Sequence, residues 1–284
     1  MISIILILLF VFSVLSVPVC HGVISGLYLY GMKIFPGLFI SFILTNILVR
    51  ILQQKNINNP WILVITGLMT GFPNGAYICS WYNKNNPENR LGDMLAGIIN
   101  IPSPAFLISY VYINILEKCI SLPMFLALTY TPVILCSYMA ILFFRDKDNK
   151  KDNAPHIKND KKLIFHFFEE AVDSSINTAL TLGAYVIIFS VIVNIIMHFS
   201  QSNTAGLLIS YLFEISNGLA IIKNAGIPMN TTVLLTVLLD AFGGVCITMQ
   251  TKSICSSYIS IKKYIYQKLV LCIVTLAMTY LLIY

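Results

Sequence analysis

Two short stretches, GFPNG at residues 71–75 and EISNG at residues 214–218, decide the fold of this chain, because each interrupts a long apolar run with polar and helix-breaking residues. The surrounding pattern recurs in the same order in both halves: an apolar segment (residues 40–48 and 188–196), the interruption, and a second interruption (NIPSP at 100–104 and DAFGG at 240–244). Breaks at corresponding places in two halves of a membrane protein indicate a transporter built from two repeats.

Composition places most of the chain in lipid. Of its 284 residues 57% are hydrophobic and 11% are charged, whereas about a quarter of the residues in soluble proteins are charged. The seven cysteines form no CxxC pair, which predicts buried apolar side chains and neither disulfides nor a metal site. The four histidines are scattered and match no catalytic motif, so we predict that the protein is not an enzyme.

The basic residues predict the topology. Seven of the 18 Lys and Arg residues lie between Arg145 and Lys162, which indicates a cytoplasmic loop. This loop lacks interleaved aromatic residues, so we expect no nucleic-acid partner. If residues 61–82 and 205–226 enter and leave the membrane on one face, 14 of the 18 basic residues lie inside. The positive-inside rule therefore favours two re-entrant hairpins.

These patterns predict an all-α polytopic membrane protein with two inverted repeats and one extra N-terminal helix. Each repeat has a membrane helix, a re-entrant hairpin, a broken helix and a closing membrane helix. The apolar run at 2–19 lacks a basic start and a cleavage site, so we interpret it as a retained helix. The predicted segments are 1–22 (N-terminal membrane helix), 23–144 (first repeat, with hairpin 61–82 and broken helix 91–116), 145–162 (cytoplasmic basic loop) and 163–284 (second repeat, with amphipathic surface helix 163–175, hairpin 205–226 and broken helix 231–252).

The breaks supply the candidate site, because non-helical backbone at membrane depth is tolerated only where protein or a water-filled cavity satisfies it. We expect Asn74 and Asn217 to cap the half-helices that follow them, and Ser103 to cap another. Such helix starts suit an anion without a buried Lys or Arg, and we expect no Lys or Arg near the breaks. The predicted substrate-binding residues are Asn74, Gly75, Asn100, Ser103, Glu214, Ser216, Asn217, Gly218, Asp240, Gly243 and Gly244.

Two of these residues are carboxylates, which cost about 3 kcal/mol or more at mid-bilayer. Glu214 and Asp240 therefore need an offsetting role. Contact with a cation or substrate and a structural hydrogen bond to unwound backbone are the two alternatives. We predict no cofactor and no metal, and the sequence leaves open a coupling proton or sodium ion.

The motifs GFPNGAYI, NIPSPAFLI, LGAYVIIFSVI, FEISNGL and DAFGGVCITMQ resemble the sporulation integral membrane protein YlbJ (SpoVV) family, which carries the nucleoside-recognition Gate domain. The resemblance runs from about residue 33 to the last residue. Two residues, Phe72 and Asn74, differ from those more usual in the family's first hairpin.

The resemblance implies a fold similar to the core of concentrative nucleoside transporters. It also implies transport of dipicolinic acid across the outer forespore membrane during endospore formation. The expected partners are a small-molecule substrate and the lipid bilayer, and a homo-oligomer is compatible with the sequence. A nucleoside transporter of the same fold and a non-transporting sporulation scaffold are the alternatives.

Overall fold

The computed structural model describes residues 6, 10, 14–55, 59–86, 90–145, 161–200, 204–255 and 258–283. Every regular element in these ranges is a helix. In chain order they are α1 (Ser16–Tyr28), a π-helix (Leu29–Ile34), α2 (Phe35–Lys55), α3 (Pro60–Thr70), α4 (Asn74–Asn85), α5 (Leu91–Ile99), α6 (Pro104–Phe106) with a second π-helix (Leu107–Ile115), α7 (Leu122–Arg145), α8 (Lys161–Ser200), α9 (Thr204–Phe213), α10 (Ile215–Asn224), α11 (Met229–Phe242), α12 (Gly244–Cys255) and α13 (Ile261–Ile283).

Several of these helices have the length and apolar character of membrane spans. Within the described residues five qualify: Leu91–Ile115, Leu122–Phe143, Phe168–Ser200, Met229–Cys255 and Ile261–Ile283. A sixth is the pair Ser16–Ile34 and Leu38–Leu48, bent by 60°, if it is counted as one span. The all-α prediction is confirmed, and the helices are those of a multi-pass membrane protein.

Two pairs of short helices occupy the predicted hairpins. Helices α3 and α4 have 11 and 12 residues, and α9 and α10 have 10 each, so each is well short of the ~20 residues that a span needs. The chain folds back between the members of each pair. A Cβ atom on Gly218, for example, would lie 2.7 Å from the carbonyl oxygen of Tyr211, far closer than a continuous helix allows for residues seven apart.

The broken helices are interrupted where we predicted. The first consists of α5 and α6 and is interrupted at Asn100–Ser103. The second consists of α11 and α12 and is interrupted at Gly243. Helices α5 and α11 both pack against α13. The inverted relation of the two repeats stays a prediction.

The predicted boundary after residue 22 is wrong, because α1 runs through it into the first π-helix. Close packing explains the difference: Cβ atoms on Gly22 and Gly26 would lie 2.5 Å and 2.8 Å from backbone atoms of α8. Glycines four residues apart allow two membrane helices to approach this closely, so here they continue a helix rather than end it. The chain bends later, at Phe35–Gly37.

The surface helix predicted at 163–175 is not a separate element. It is the first part of α8, which continues without interruption to Ser200. Ala171, Ser175, Ala179 and Leu182 are all buried and recur at helical spacing, so one packed face crosses the expected boundary. The basic loop at 145–162 lies mostly outside the described residues, as do most of residues 1–13.

Candidate functional site

The tip of the first hairpin is bonded to the first break. The Phe72 amide donates to the carbonyl of Ile101 at 2.9 Å. The Ala76 amide donates to Asn100 Oδ1 at 3.3 Å. Gly75 allows the close approach, since a Cβ there would lie 2.7 Å from the Ile99 carbonyl oxygen.

Asn100 is the centre of this connection. Its side chain is fully buried, and its Nδ2 donates to Thr251 Oγ1 at 3.2 Å and to the Tyr264 hydroxyl at 2.9 Å. One amide therefore joins the first hairpin, the first break, α12 and α13. Its oxygen and nitrogen bond three separate elements, so Asn100 holds the hairpin, the break and the two later helices together.

Ser103 behaves as the sequence predicted. Its backbone is extended, and its Oγ accepts from the Phe106 amide at 3.3 Å, with Pro104 in the first turn of the helix that follows. This geometry is that of an N-cap.

The two hairpin asparagines do not cap their helices, and that prediction is wrong. Pro73 precedes α4 without a side-chain cap, and Asn74 Nδ2 donates instead to Thr45 Oγ1 of α2 at 3.3 Å. Asn217 Nδ2 likewise donates to Ser190 Oγ of α8 at 3.5 Å. Both asparagines lie within the helices rather than before them, so their side chains reach sideways to a neighbouring long helix.

Glu214 is the cap of the second hairpin. Its backbone is extended, and its carboxylate accepts from the amide of Asn217 at 2.7 Å. A carboxylate at a helix N-terminus interacts favourably with the helix dipole and with the free amides. The residue that precedes the helix makes the cap, which the sequence pattern at 214–218 did not distinguish.

The second break is formed by two glycines with positive φ. Beside it lies a carboxylate without a hydrogen-bond partner among the described residues. Gly243 and Gly244 both have φ of +81°, a conformation that side-chain-bearing residues adopt at a cost. Asp240, one turn before, is fully buried. Neither of its carboxylate oxygens has a hydrogen-bond partner within the described part of the chain.

Three of the four breaks reach one cavity between α8 and the first π-helix, which we call the central cavity. Its wall includes Tyr30, Phe72, Pro73, Ser103, Phe106, Val186, Glu214, Ser216 and Gln250. It offers a volume of about 30 Å³ to water-sized molecules, which is room for roughly one or two of them. A larger solute would require the surrounding elements to move apart.

The structure places three of the predicted site residues, Ser103, Glu214 and Ser216, on this wall. Four other predicted residues contact neighbouring elements close to the breaks, as described above, and are absent from this wall within the described part of the chain. They are Asn74, Gly75, Asn100 and Gly218. Asn217 borders a different groove, beside Asn194 of α8. Gly243 and Gly244 shape the second break, and Asp240 is buried next to it.

A second cavity, which we call the vestibule, lies next to Tyr110. It has a volume of about 410 Å³ and is lined by Lys33, Tyr110, Asn114 and Lys223. The Tyr110 hydroxyl donates to the Ser216 carbonyl at 3.3 Å, and its ring lies 5.1 Å from that of Phe106. Tyr110 lines the vestibule and Phe106 lines the central cavity, so the two cavities approach each other at this pair of rings.

The two vestibule lysines differ in their partners. Lys223 Nζ lies 2.8 Å from the Glu117 carboxylate and donates to the Asn114 carbonyl at 2.6 Å. Its hydrogen bond lowers the pKa of the exposed Glu117 carboxyl. Lys33 Nζ lies over the rings of Tyr28 and Tyr110, at 5.9 Å and 5.6 Å from their centres.

The sequence analysis missed a buried lysine at the breaks. Lys268 is 1% exposed, and its Nζ donates to the carbonyls of Asn100 at 2.5 Å and Ala241 at 2.9 Å. The expectation that no lysine lies near the breaks is therefore wrong, because α13 is distant in sequence and adjacent in space. A signal was present: Tyr264, Gln267 and Lys268 share one face of an apolar helix, and an ionisable residue there is expected to be functional.

Comparisons of the chain with family models, with curated proteins and with solved structures found no match.

Proposed function

We propose that the protein is an integral membrane transporter of a small polar or anionic aromatic solute. The observation that carries this proposal is the convergence of three breaks on the central cavity, through Pro73, Ser103 and Glu214. The helix that follows the fourth break, α12, adds Gln250 to the same wall. Discontinuous helices whose free ends surround a common site are the arrangement by which secondary transporters bind substrates.

The wall of the central cavity suits a flat aromatic solute. Phe72 and Phe106 lie side by side, with ring centres 6.4 Å apart, and Tyr30 lines the same space. Aromatic side chains stack favourably on aromatic ligands. The half-helix that starts at Ser103 presents the positive end of its dipole to a carboxylate.

The vestibule favours an anion. Lys33 has no carboxylate ion pair within the described residues, and Lys223 shares its charge with one glutamate. Positive charge at the mouth of a cavity raises the local concentration of anions and their rate of association. Together with the resemblance described above, this supports dipicolinate (pyridine-2,6-dicarboxylate), transported across the outer forespore membrane, as the substrate.

One feature favours a second candidate, a nucleoside. Glu214 brings a carboxylate to the wall of the central cavity, where it repels a dianion and accepts hydrogen bonds from hydroxyl groups such as those of ribose. Dipicolinate and a nucleoside therefore make opposite demands on this side chain, which provides a sharp test.

The experiment measures binding of dipicolinate and of uridine to the purified protein, with and without Glu214→Gln. For dipicolinate we expect the variant to bind about tenfold more tightly, equivalent to about 1.4 kcal/mol, because a like charge has been removed. Glu169→Gln makes the same chemical change at an exposed position of α8 and serves as the matched control.

Tight uridine binding that weakens in Glu214→Gln, with no binding of dipicolinate, would transfer the proposal to nucleosides. In cells, loss of the protein should produce spores poor in dipicolinate. Normal dipicolinate content in such spores would contradict the assignment.

A further inference from the structure

Lys268 is a buried charge with unusual partners. It lies on α13, an apolar helix long enough to span a membrane, and it is 1% exposed. Within the described residues its ammonium forms no ion pair with a carboxylate. Its contacts are two backbone carbonyls and the ring of Tyr264, whose centre is 5.8 Å away.

The two carbonyls occupy equivalent positions in the two broken helices. Asn100 follows the last residue of α5, and Ala241 lies in the last turn of α11. Each helix is the first half of a broken helix, so both carbonyls belong to a helix C-terminus. Such carbonyls lack an intrahelical partner and carry the negative end of the helix dipole, so together they form a site for a cation.

Burial of an ammonium is costly unless its protons are satisfied. Lys268 donates to both carbonyls at 2.5 Å and 2.9 Å and so joins the two broken helices through a single charge. Unwound carbonyls and half-helix C-terminal ends are the groups that coordinate a coupling sodium ion in transporters with discontinuous helices. In this chain a side chain occupies that position.

We propose that Lys268 is a built-in cation that takes the place of a coupling metal ion at the two breaks, so that the protein binds no sodium there. An ammonium fixed to the chain cannot cross the membrane with the solute, so a sodium gradient cannot drive transport through this position. The link to transport rests on the proposed function, whereas the site itself does not.

The test begins with thermal unfolding of the purified protein in sodium chloride and in choline chloride at equal ionic strength. We expect the wild-type midpoint to be the same in both salts. Lys268→Ala opens the site and should gain a saturable stabilisation by sodium or ethylammonium, with a midpoint shift of about 2–4 °C. Lys262→Ala removes an exposed lysine from the same helix and should show no such gain.

A saturable stabilisation of the wild-type protein by sodium would overturn the proposal. A folded Lys268→Ala variant that responds to neither cation would overturn it as well. If Lys268→Ala cannot be purified, the wild-type measurement still decides, together with Lys268→Arg, which keeps the charge and should remain insensitive to sodium.

These measurements use no solute, so they stand even if dipicolinate is not the substrate. Where dipicolinate binding is detected, its Kd should agree within about twofold between sodium and choline salts, a difference of roughly 0.4 kcal/mol. A tenfold tighter Kd in sodium would count against Lys268 as the resident cation and would leave the assignment of the substrate intact.

Discussion

The two hairpin–break pairs occupy corresponding places in the sequence but differ in how their polar groups are satisfied. In the first pair Asn100 bonds Ala76, Thr251 and Tyr264, and the Phe72 amide bonds the break directly. In the second pair the hairpin is capped by its own Glu214. The Asp240 carboxylate beside it has no partner within the described residues.

Motifs at corresponding places in the two halves of the sequence therefore need not have the same role. A fully bonded network in a low-dielectric interior is rigid and expensive to open, so we expect the first pair to act as a fixed joint. Polar groups without partners can exchange contacts at little cost. We therefore expect the second pair to be the part that moves or meets the solute.

The largest expected effect comes from comparing one asparagine from each pair. Asn100→Leu should lower the free energy of unfolding by several kcal/mol, because each buried group that it leaves unpaired costs about 1–3 kcal/mol. Asn217→Leu removes a long 3.5 Å bond from a half-buried residue and should cost about 0–1 kcal/mol. Denaturant titration of both purified variants measures the difference.

Equal losses in the two variants would break the comparison, since the second pair would then be bonded as tightly as the first. Asn217→Leu should also leave solute affinity nearly unchanged, because this residue does not line the central cavity within the described part of the chain.

A smaller contrast is expected between two glycines with positive φ. Gly71 and Gly244 have φ of +73° and +81°, so alanine at either position is strained, by about 1–3 kcal/mol; Gly71, with ψ of −175°, lies in a region that almost only glycine adopts. A Cβ on Gly71 would lie 2.4 Å from the Ser103 amide nitrogen, whereas on Gly244 the nearest atom is 3.2 Å away. Gly71→Ala should therefore lose about 1–3 kcal/mol more, the usual cost of overpacking.

The measurement is the midpoint of thermal unfolding of the two variants in the same detergent. If Gly244→Ala proved the more damaging, the second break would be the tighter joint, and the assignment of fixed and mobile pairs would be reversed.

The smallest effect on stability is expected for Asp240→Asn. Its carboxylate oxygens form no hydrogen bond within the described residues, so the free energy of unfolding should change by less than about 1 kcal/mol. Uptake of solute into proteoliposomes should nevertheless be lost, because the amide carries no charge and replaces one acceptor oxygen with an NH2 donor. A loss of stability above about 2 kcal/mol would show that the carboxylate is a structural acceptor.

The sequence alone was sufficient for the all-helical class and for the places of the four helix interruptions. GFPNG, NIPSP, EISNG and DAFGG stop helices for local reasons, namely proline, left-handed glycine and an N-cap, and each stops a helix in the structure. Ser103 was predicted correctly as a cap for the same reason. Local sequence did not predict which residue caps the second hairpin, because two polar residues, Glu214 and Asn217, lie near its tip.

The end of the first helix was misplaced because α1 continues past residue 22, where Gly22 and Gly26 pack closely against α8. The site was likewise decided by long-range packing. Three predicted residues line the central cavity, whereas Tyr30 and Gln250 were brought to it from segments outside the breaks.

What the sequence determined by itself is the all-helical, lipid-embedded character of the chain and the places where its helices break, because both depend on local composition and backbone geometry. Only the tertiary structure decided which polar groups are satisfied. Lys268 donates to the carbonyl of Asn100, which lies 168 positions away in the sequence, and no local sequence pattern predicts this contact. The partner of a buried charge is set by the packing of helices, not by its neighbours in sequence.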